Sequence, residues 1–291
     1  MSGTAKTVES VQFVGKTTGW AVGTGGTIHK TVDGRGVHRL ITIPISHFCE
    51  KARWALELAD ISYREEAHLQ VLHYVPARLA GGGMTVPVLV TEEGEVFGES
   101  SDILHWVDRE AQLGLYPDDP EQRREVETLE DTFGVGLGPH ARLWMYHHFL
   151  DRKDLAVRYG GRGTPNWQQR GLGAMFAPVA WFIRKRFSIT PEQADKSLQL
   201  AQQQMDMAAE RLEAGNGFLV GEGFTAADLS FACMAVPLLF PDEYGVPLPR
   251  PEELPDVCAK VVARNRAHPA GRFALKMFRE HRARPPHMSP S

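Results

Sequence analysis

The sequence predicts a small α/β domain followed by a larger all-helical domain. Residues 39–114 alternate strand-like and helix-like patterns, in the order β-α-…-β-β-α. Residues 119–283 are almost entirely helical in pattern, and residues 1–38 consist of short β-like runs between glycines. At 291 residues the chain has the length of roughly two domains. We therefore expect an N-terminal appendage at 1–38, domains at 39–114 and 115–283, and a tail at 284–291.

Composition and charge narrow the functional classes. Hydrophobic residues make up 43% of the chain, the formal net charge is -4 and the pI is about 6.3. The hydrophobic content is enough to form hydrophobic cores. The net negative charge gives no electrostatic basis for binding nucleic acid or an anionic membrane. The apolar stretch 174–183 is shorter than the ~20 residues that span a bilayer, so we expect a buried helix there and no membrane role.

The cysteines indicate the compartment. Cys49, Cys233 and Cys258 are far apart and odd in number, which fits neither a disulfide framework nor a zinc site. The first residues show no basic segment followed by an apolar core, the pattern of a secretory signal. We expect a cytoplasmic protein without a metal.

The sequence pattern of the N-terminal appendage predicts a small β-meander. Its β-like runs are Val11–Val14, Trp20–Val22 and Thr27–Val32, separated by glycine turns. The stretch resembles a single repeat of the β-propeller proteins that include a photosystem assembly factor. One repeat cannot bury its own faces, which excludes a propeller here. The sequence assigns this segment no function.

The α/β region divides into four elements. Residues 39–45 predict a strand, and residues 48–59 predict a helix because their apolar side chains recur on one helical face. Residues 85–98 form two β-branched runs joined by a glycine turn, which is typical of an antiparallel hairpin. Residues 100–111 predict a second helix.

Helix boundaries in the second domain follow from proline, threonine and glycine. Pro120 and the pair Thr190-Pro191 precede acidic first turns, and Gly215 ends the second of these helices. A further helix begins at Thr225 and ends at Pro237 or slightly beyond, and Pro269 interrupts the last helix.

A proline inside a β-rich run requires an explanation. Pro87 cannot donate a ladder hydrogen bond, so it indicates either a cis bond after Val86 at a strand start or a trans proline on an edge strand. With a cis bond, the backbone of Val86 would face outward and pair with an extended peptide.

Two serines in the first turn of the second helix have two interpretations. Ser100 or Ser101 could cap the helix, a role worth about 1 kcal/mol. Alternatively, the helix N-terminus and Ser100 bind a carboxylate while Glu99 binds an ammonium group, so that an α-amino acid moiety satisfies both.

The stretch "ISHFCEKARW" also leaves alternatives. Ser46 either caps the helix, with Cys49 buried one turn later, or it presents its hydroxyl to a ligand at the helix N-terminus. Because serine occupies the first position of the S-x-x-C pattern, a dithiol redox pair is absent. A thiol in the first helical turn can have a lowered pKa, which keeps a one-cysteine reaction at Cys49 open.

Four segments in order, "SHFCEKARWAL", "TVPVLV", "ESSDIL" and "FLVGEGFTAADL", resemble the glutathione S-transferase superfamily. The resemblance extends over residues 39–283. It implies a thioredoxin-like N-terminal domain, an all-helical C-terminal domain, glutathione as co-substrate and a homodimer. It also places a folding role, a helix capping box, on Thr225 and Asp228. The sequence departs from the pattern at His47, where many serine-type members have proline.

The resemblance assigns the site residues. Ser46 corresponds to the hydroxyl that activates glutathione, in a serine-type motif. Val86 precedes the cis proline, Pro87, and pairs with the cysteinyl backbone of glutathione. Glu99 and Ser100 hold the γ-glutamyl end.

The predicted function is a glutathione transferase-like enzyme that uses the activated thiol to attack a small hydrophobic electrophile. We expect the electrophile between the domains, against the segments 140–149 and 176–187. Two alternatives remain: a non-catalytic module that binds ligands or partners, and glutathionyl transfer through Cys49.

Overall fold

The computed structural model describes the backbone of three N-terminal segments and the full residues of the main body of the chain, namely 8–13, 19–23, 27–31 and 37–282. The predicted tail at 284–291 lies outside these residues, as do the strand ends predicted at Val14 and Val32.

One sheet of seven strands contains every strand of the described residues, in the order β1-β2-β3-β5-β4-β6-β7. Their bounds are β1 Val8–Phe13, β2 Gly19–Gly23, β3 Thr27–Thr31, β4 His38–Thr42, β5 Tyr63–Ala67, β6 Val88–Val90 and β7 Val96–Phe97. The first three pair antiparallel in sequence order, which confirms the predicted meander. β3 then pairs with β5 at His29 and Arg64, so the meander extends the sheet of the next domain.

The sheet and its helices form a thioredoxin-like unit. β4 and β5 run parallel, and they are joined by the helix α1 (His47–Leu58). The short helix α2 (Tyr74–Leu79) leads to the antiparallel hairpin β6–β7, and α3 (Ser100–Ala111) follows it. α1 packs against α3 in the core. The predicted α/β order is confirmed.

The predicted strand 39–45 ends early, at Thr42. Pro44 has no N–H for a ladder, and the carbonyls of Ile43 and Pro44 accept hydrogen bonds from the Arg53 guanidinium instead of from a strand. Residues 43–46 therefore form the loop that leads into α1.

The rest of the described chain is mostly helical, as predicted. Its helices are α4 Pro120–Thr132, α5 Gly138–Phe149, α6 Lys153–Gly160, α7 Asn166–Arg186, α8 Pro191–Ala214, α9 Ala226–Met234, α10 Val236–Leu239, α11 Asp256–Ala267 and α12 Pro269–His281. A π-helical turn at Phe133–Leu137 joins α4 to α5, and a 3₁₀ turn at Pro251–Glu253 precedes α11.

Most predicted helix boundaries are confirmed. The Thr190 hydroxyl accepts a hydrogen bond from Gln193 N at 3.2 Å, Gly215 follows the end of α8, and Pro269 separates α11 from α12. The helix beginning after Thr225 ends at Met234, earlier than predicted, and a separate short helix begins at Val236 with Pro237 in its first turn.

Only one side of α7 is buried, so the prediction of a buried helix at 174–183 was partly wrong. Ala180 and Ile183 are 2% and 5% exposed, whereas Trp181 is 62% exposed. The apolar side chains therefore divide between a packed face and a solvent face. Within the described residues, no helix combines the length and apolar character needed to cross a membrane.

A buried ion network fixes α1 to both halves of the molecule. Arg53 donates to Glu50 at 2.7 Å and to Glu65 at 2.8 Å, and Glu50 also accepts from Arg282 Nε at 2.8 Å. Burial opposes ionisation of Glu50, but Arg282 and Arg53 hold its pKa below the ordinary value. The Gly245 amide also donates to Glu50, and a Cβ at that glycine would lie 2.6 Å from the Glu50 carboxylate.

A second buried pair joins α1 to α4. The Lys51 ammonium binds the Glu130 carboxylate, which also accepts from the Tyr116 hydroxyl at 2.6 Å. Burial opposes ionisation of Glu130, but Lys51 holds its pKa below the ordinary value. Each charged group in the two networks has an oppositely charged partner, so each partner depends on the other for its charge to be tolerated inside the protein.

We expect Arg53→Met to lower the free energy of unfolding by about 3–5 kcal/mol, because it removes from the protein interior the cation that Glu50 and Glu65 share. Urea denaturation followed by circular dichroism measures the change. Lys276→Met is the control, since Lys276 and Glu280 form an exposed pair at 3.7 Å and its loss should cost under about 1 kcal/mol. Equal effects of the two substitutions would contradict this account of the network.

Candidate active site

A cavity of about 420 Å³ lies between the thioredoxin-like unit and the helical region. This volume is in the range of small-molecule sites in proteins, roughly 300–1,000 Å³. Ser46, Val86 and the segment 69–74 line it from the first unit, and α5 and α7 line it from the second. The lining is mostly apolar, with polar side chains from both walls, among them Ser46 and His47 from the first unit and Gln168 and Arg186 from α7.

Ser46 is the N-cap of α1, with extended backbone angles of φ -76° and ψ 120°. Its Oγ accepts a hydrogen bond from the Cys49 amide at a long 3.4 Å, and its own amide donates to the Ile43 carbonyl at 3.0 Å. The side chain is half-buried and lines the cavity. Ser46 therefore caps the helix and is also part of the cavity wall.

Val86 also lines the cavity, and the Val86–Pro87 bond is cis, as the first of the two sequence interpretations required. Pro87 is buried and immediately precedes β6. β6 lies between β4 and β7, so the alternative of a proline on an edge strand is wrong.

Glu99 and Ser100 lie at the start of α3 and do not line the cavity. Glu99 occupies the N-cap position, is exposed, and makes no capping hydrogen bond with its side chain. Ser100 and Ser101 are inside the first turn, so the interpretation of either serine as the N-cap was wrong. Ser101 Oγ instead accepts from Lys51 Nζ at 3.0 Å.

The start of α3 nevertheless lies close to the loop that precedes Val86. A Cβ at Gly98 would be 3.9 Å from the Gly83 amide nitrogen and 4.0 Å from Gly82 Cα. Gly82 and Gly83 belong to the loop that leads to Val86, so Glu99 and Ser100 are beside the cavity wall that this loop forms.

Cys49 is fully buried in the first turn of α1. Burial raises the pKa of its thiol to about 11, although Arg53 and the Ser46 hydroxyl favour the thiolate. Cys49 does not line the cavity. Its surroundings are those of a core thiol rather than of an exposed nucleophile.

Two histidines at the cavity are neutral near pH 7. Burial lowers the pKa of His47 to about 3, with a contribution from Arg142, and burial lowers the pKa of His73 to about 4. His47 Nε2 and His73 Nδ1 have no hydrogen-bond partner among the described residues. These imidazoles add polar atoms to the lining without adding charge.

The segment 69–74 is held in place by α7. The Leu69 amide donates to Gln168 Oε1 at 2.9 Å, and Gln168 Nε2 lies 3.0 Å from His68 Nδ1. Val71 has φ 77°, a conformation that is unusual for a β-branched residue, and it lines the cavity. The sequence contains no periodic or motif signal for this contribution, because it depends on a tertiary contact across about 100 positions.

The electrophile wall was predicted only as two segments. Each of them contributes to the lining: Arg142, Met145, Tyr146 and Phe149 from 140–149, and Phe176, Val179, Ala180, Ile183, Arg186 and Phe187 from 176–187. No pattern in the sequence distinguishes Arg142 or Arg186 as a site residue. Within the described part of the chain, no group of three or more histidine, cysteine, aspartate or glutamate residues could hold a metal ion.

The sequence matches one known family over part of its length. Residues 40–114, about a quarter of the chain, match the family described as glutathione S-transferase, N-terminal domain. No curated protein sequence matches the chain.

Solved structures match over most of the chain. A glutathione S-transferase from Xanthobacter autotrophicus Py2 superposes with a TM-score of 0.54 at 16% identity, covering 84% of this chain and 93% of that one. A glutathione S-transferase-I bound with lactoylglutathione gives 0.54 at 14% identity, covering 84% and 94%. A glutathione S-transferase from Methylobacillus flagellatus KT, solved with glutathione bound, gives 0.50 at 17% identity, covering 84% and 98%.

At these identities the likeness establishes the fold. The chain has a thioredoxin-like sheet followed by a mostly helical region, the arrangement found in glutathione S-transferase structures.

Proposed function

We propose that this protein binds glutathione and activates its thiol for attack on a small hydrophobic electrophile. The observation that carries the proposal is the position of Ser46, whose half-buried hydroxyl lies at the N-terminus of α1 and at the wall of an apolar cavity. The match of residues 40–114 to the glutathione S-transferase N-terminal family supports it, as does the likeness to a structure with glutathione bound.

Glutathione would lie along the wall that contains Ser46 and Val86. In this proposal the Val86 backbone pairs with the cysteinyl unit, and Glu99 and Ser100 hold the γ-glutamyl ammonium and carboxylate at the start of α3. Residues 39–114 then act as the glutathione-binding domain, and residues 115–283 supply the wall for the electrophile.

One hydroxyl and one helix N-terminus can supply the free energy needed to ionise the glutathione thiol near neutral pH. A free cysteine thiol has a pKa of about 8.5, and lowering it by about 2 units requires roughly 2.7 kcal/mol. A hydrogen bond from a hydroxyl to a charged acceptor contributes about 1.5–3 kcal/mol. The free N–H groups of the α1 N-terminus add about 0.3–1 kcal/mol, so no separate general base is required.

The chemical step is a substitution or addition by sulfur. The thiol releases its proton to solvent, the thiolate electron pair forms the new bond to the electrophilic carbon, and any leaving group departs with its bonding pair. The apolar lining from α5 and α7 holds the electrophile and excludes water from the reacting sulfur.

Glutathionyl transfer through Cys49 is the less favoured alternative, because that thiol is buried, outside the cavity lining and raised in pKa. A non-catalytic binding module would use the same cavity without thiol activation, and the Ser46 variants below distinguish it. The three buried free cysteines fit a cytoplasmic location, and the family resemblance implies a homodimer.

We expect Ser46→Gly to raise the pKa of bound glutathione by about 1–2 units from roughly 6.5, because the hydroxyl donor is lost. The measurement is the ultraviolet absorbance of the thiolate as a function of pH, with glutathione affinity determined by calorimetry. Binding should persist, and kcat/KM near neutral pH should fall by about tenfold to a hundredfold.

Two further variants separate activation from helix capping. Glycine is nearly as good a cap as serine, whereas Ser46→Ala loses about 1 kcal/mol of stability in addition to the hydroxyl. Ser46→Gly and Ser46→Ala should lose the thiolate equally. Thr128→Ala, which removes an exposed hydroxyl on α4, should change neither the thiolate nor the binding of glutathione. If the pKa of glutathione bound to Ser46→Gly equals that of glutathione bound to the wild-type protein, the activation role of Ser46 is wrong.

We expect Cys49, Cys233 and Cys258 to resist thiol reagents in the native protein, because all three are buried and burial raises the pKa of each thiol. Labelling with dithiobisnitrobenzoate should modify them only after denaturation. Ala174→Cys, on the exposed side of α7, is the positive control and should react on the order of a hundredfold faster. Fast native labelling that disappears in Cys49→Ala would favour the Cys49 mechanism instead.

A further inference from the structure

Two arginines stand out in the apolar cavity. Arg142, on α5, is half-buried, and its guanidinium carbon lies 4.9 Å from the centre of the Phe187 ring and 5.7 Å from that of Phe48. Arg186, at the end of α7, has its guanidinium carbon 5.5 Å from the same Phe187 ring. Aromatic rings therefore hold both guanidinium groups at the cavity wall.

Neither arginine has a carboxylate partner among the described residues. The ion pairs and hydrogen bonds of 37–282 include neither side chain, whereas Arg184, on the same helix, binds Asp151 at 2.7 Å. The described residues that line the cavity include no aspartate or glutamate. His47 and His73 are neutral near pH 7, so the lining carries an uncompensated positive charge.

An uncompensated guanidinium in an apolar, partly desolvated cavity is a recognition element for an anion. Arginine presents a planar fork of donors that matches a carboxylate or sulfonate, and the interaction is strengthened where water is partly excluded. Phe48 is two residues from Ser46 in α1, so Arg142 is on the wall that faces the reacting end of the cavity.

We propose that the cavity selects an apolar ligand that carries an anionic group, which Arg142 binds directly and Arg186 assists from the rim. This inference rests on the proposed function for one point only, that the ligand is also the electrophile attacked by glutathione. The apolar remainder of the ligand packs on Tyr146, Phe176 and Phe187.

Glutathione itself carries carboxylates, so the anionic group that binds Arg142 could belong either to the second ligand or to glutathione. The test must distinguish the two. Arg142 lines the cavity on its helical wall and contacts Phe187, whereas Glu99 and Ser100, where we place the γ-glutamyl end, do not line the cavity. This placement favours the second ligand over glutathione as the source of the anion.

The test uses a matched pair of fluorescent ligands that differ by one charged group. Anilinonaphthalene sulfonate is anionic, and phenylnaphthylamine is the same aromatic framework without the sulfonate. We expect the protein to bind the sulfonate more tightly, and Arg142→Met to reduce the affinity ratio of the two ligands by about tenfold to a hundredfold. Arg142→Lys should restore part of the ratio, and Arg186→Met should reduce it less, because Arg186 is exposed.

Arg184→Met is the matched control, because it removes from α7 an arginine that is paired with Asp151 and does not line the cavity, and it should leave the ratio as in the wild type. An unchanged ratio in Arg142→Met, or weak binding of both ligands by the wild-type protein, overturns the proposal. An Arg142→Met variant that loses affinity for glutathione while keeping the ligand ratio also overturns it, by assigning the arginine to glutathione.

A kinetic comparison separates this inference from the proposed function. With glutathione, a chlorodinitrobenzoate should exceed the uncharged chlorodinitrobenzene in kcat/KM, and Arg142→Met should reduce that preference by a similar factor. Absence of turnover with either compound, combined with the expected ligand ratio, would reject the transferase function and leave the anion site supported.

Discussion

The Arg53 side chain determines the geometry of the candidate site. It comes from the middle of α1, is buried, and binds two carboxylates together with the backbone carbonyls of Ile43 and Pro44. These carbonyls belong to the loop that ends the first strand of the thioredoxin-like unit, just before Ser46. Through Arg53, α1 therefore holds the loop that precedes it, and this keeps Ser46 at the helix N-terminus.

The same network connects the two halves of the molecule. Glu50 binds Arg53, Arg282 and the Gly245 amide, so a residue near the start of the chain joins segments near its end. The Trp54 indole also donates to the His281 carbonyl at 3.0 Å. Because the cavity lies between these halves, its width depends on buried, paired charged groups that do not line it.

Local signals predicted the elements well and the cavity only in part. The helix starts after Ser46 and Thr190 follow from one or two residues whose chemistry acts locally, and the cis bond before Pro87 was one of two interpretations of that proline. The exposure of Trp181 could not be predicted in this way, because the apolar residues of 174–183 do not indicate which side of the helix packs against the protein. The contribution of Val71 depends on a hydrogen-bonded contact with α7, and the importance of Arg142 depends on the absence of a carboxylate nearby; neither can be derived from spacing along the chain.

The most direct test of the central claim is a crystal structure of the protein with glutathione. The account predicts the glutathione sulfur within hydrogen-bond reach of Ser46 Oγ at the start of α1, with the cysteinyl backbone paired to Val86 and the γ-glutamyl end at Glu99 and Ser100. Glutathione bound elsewhere, or joined to Cys49 as a mixed disulfide, would contradict it.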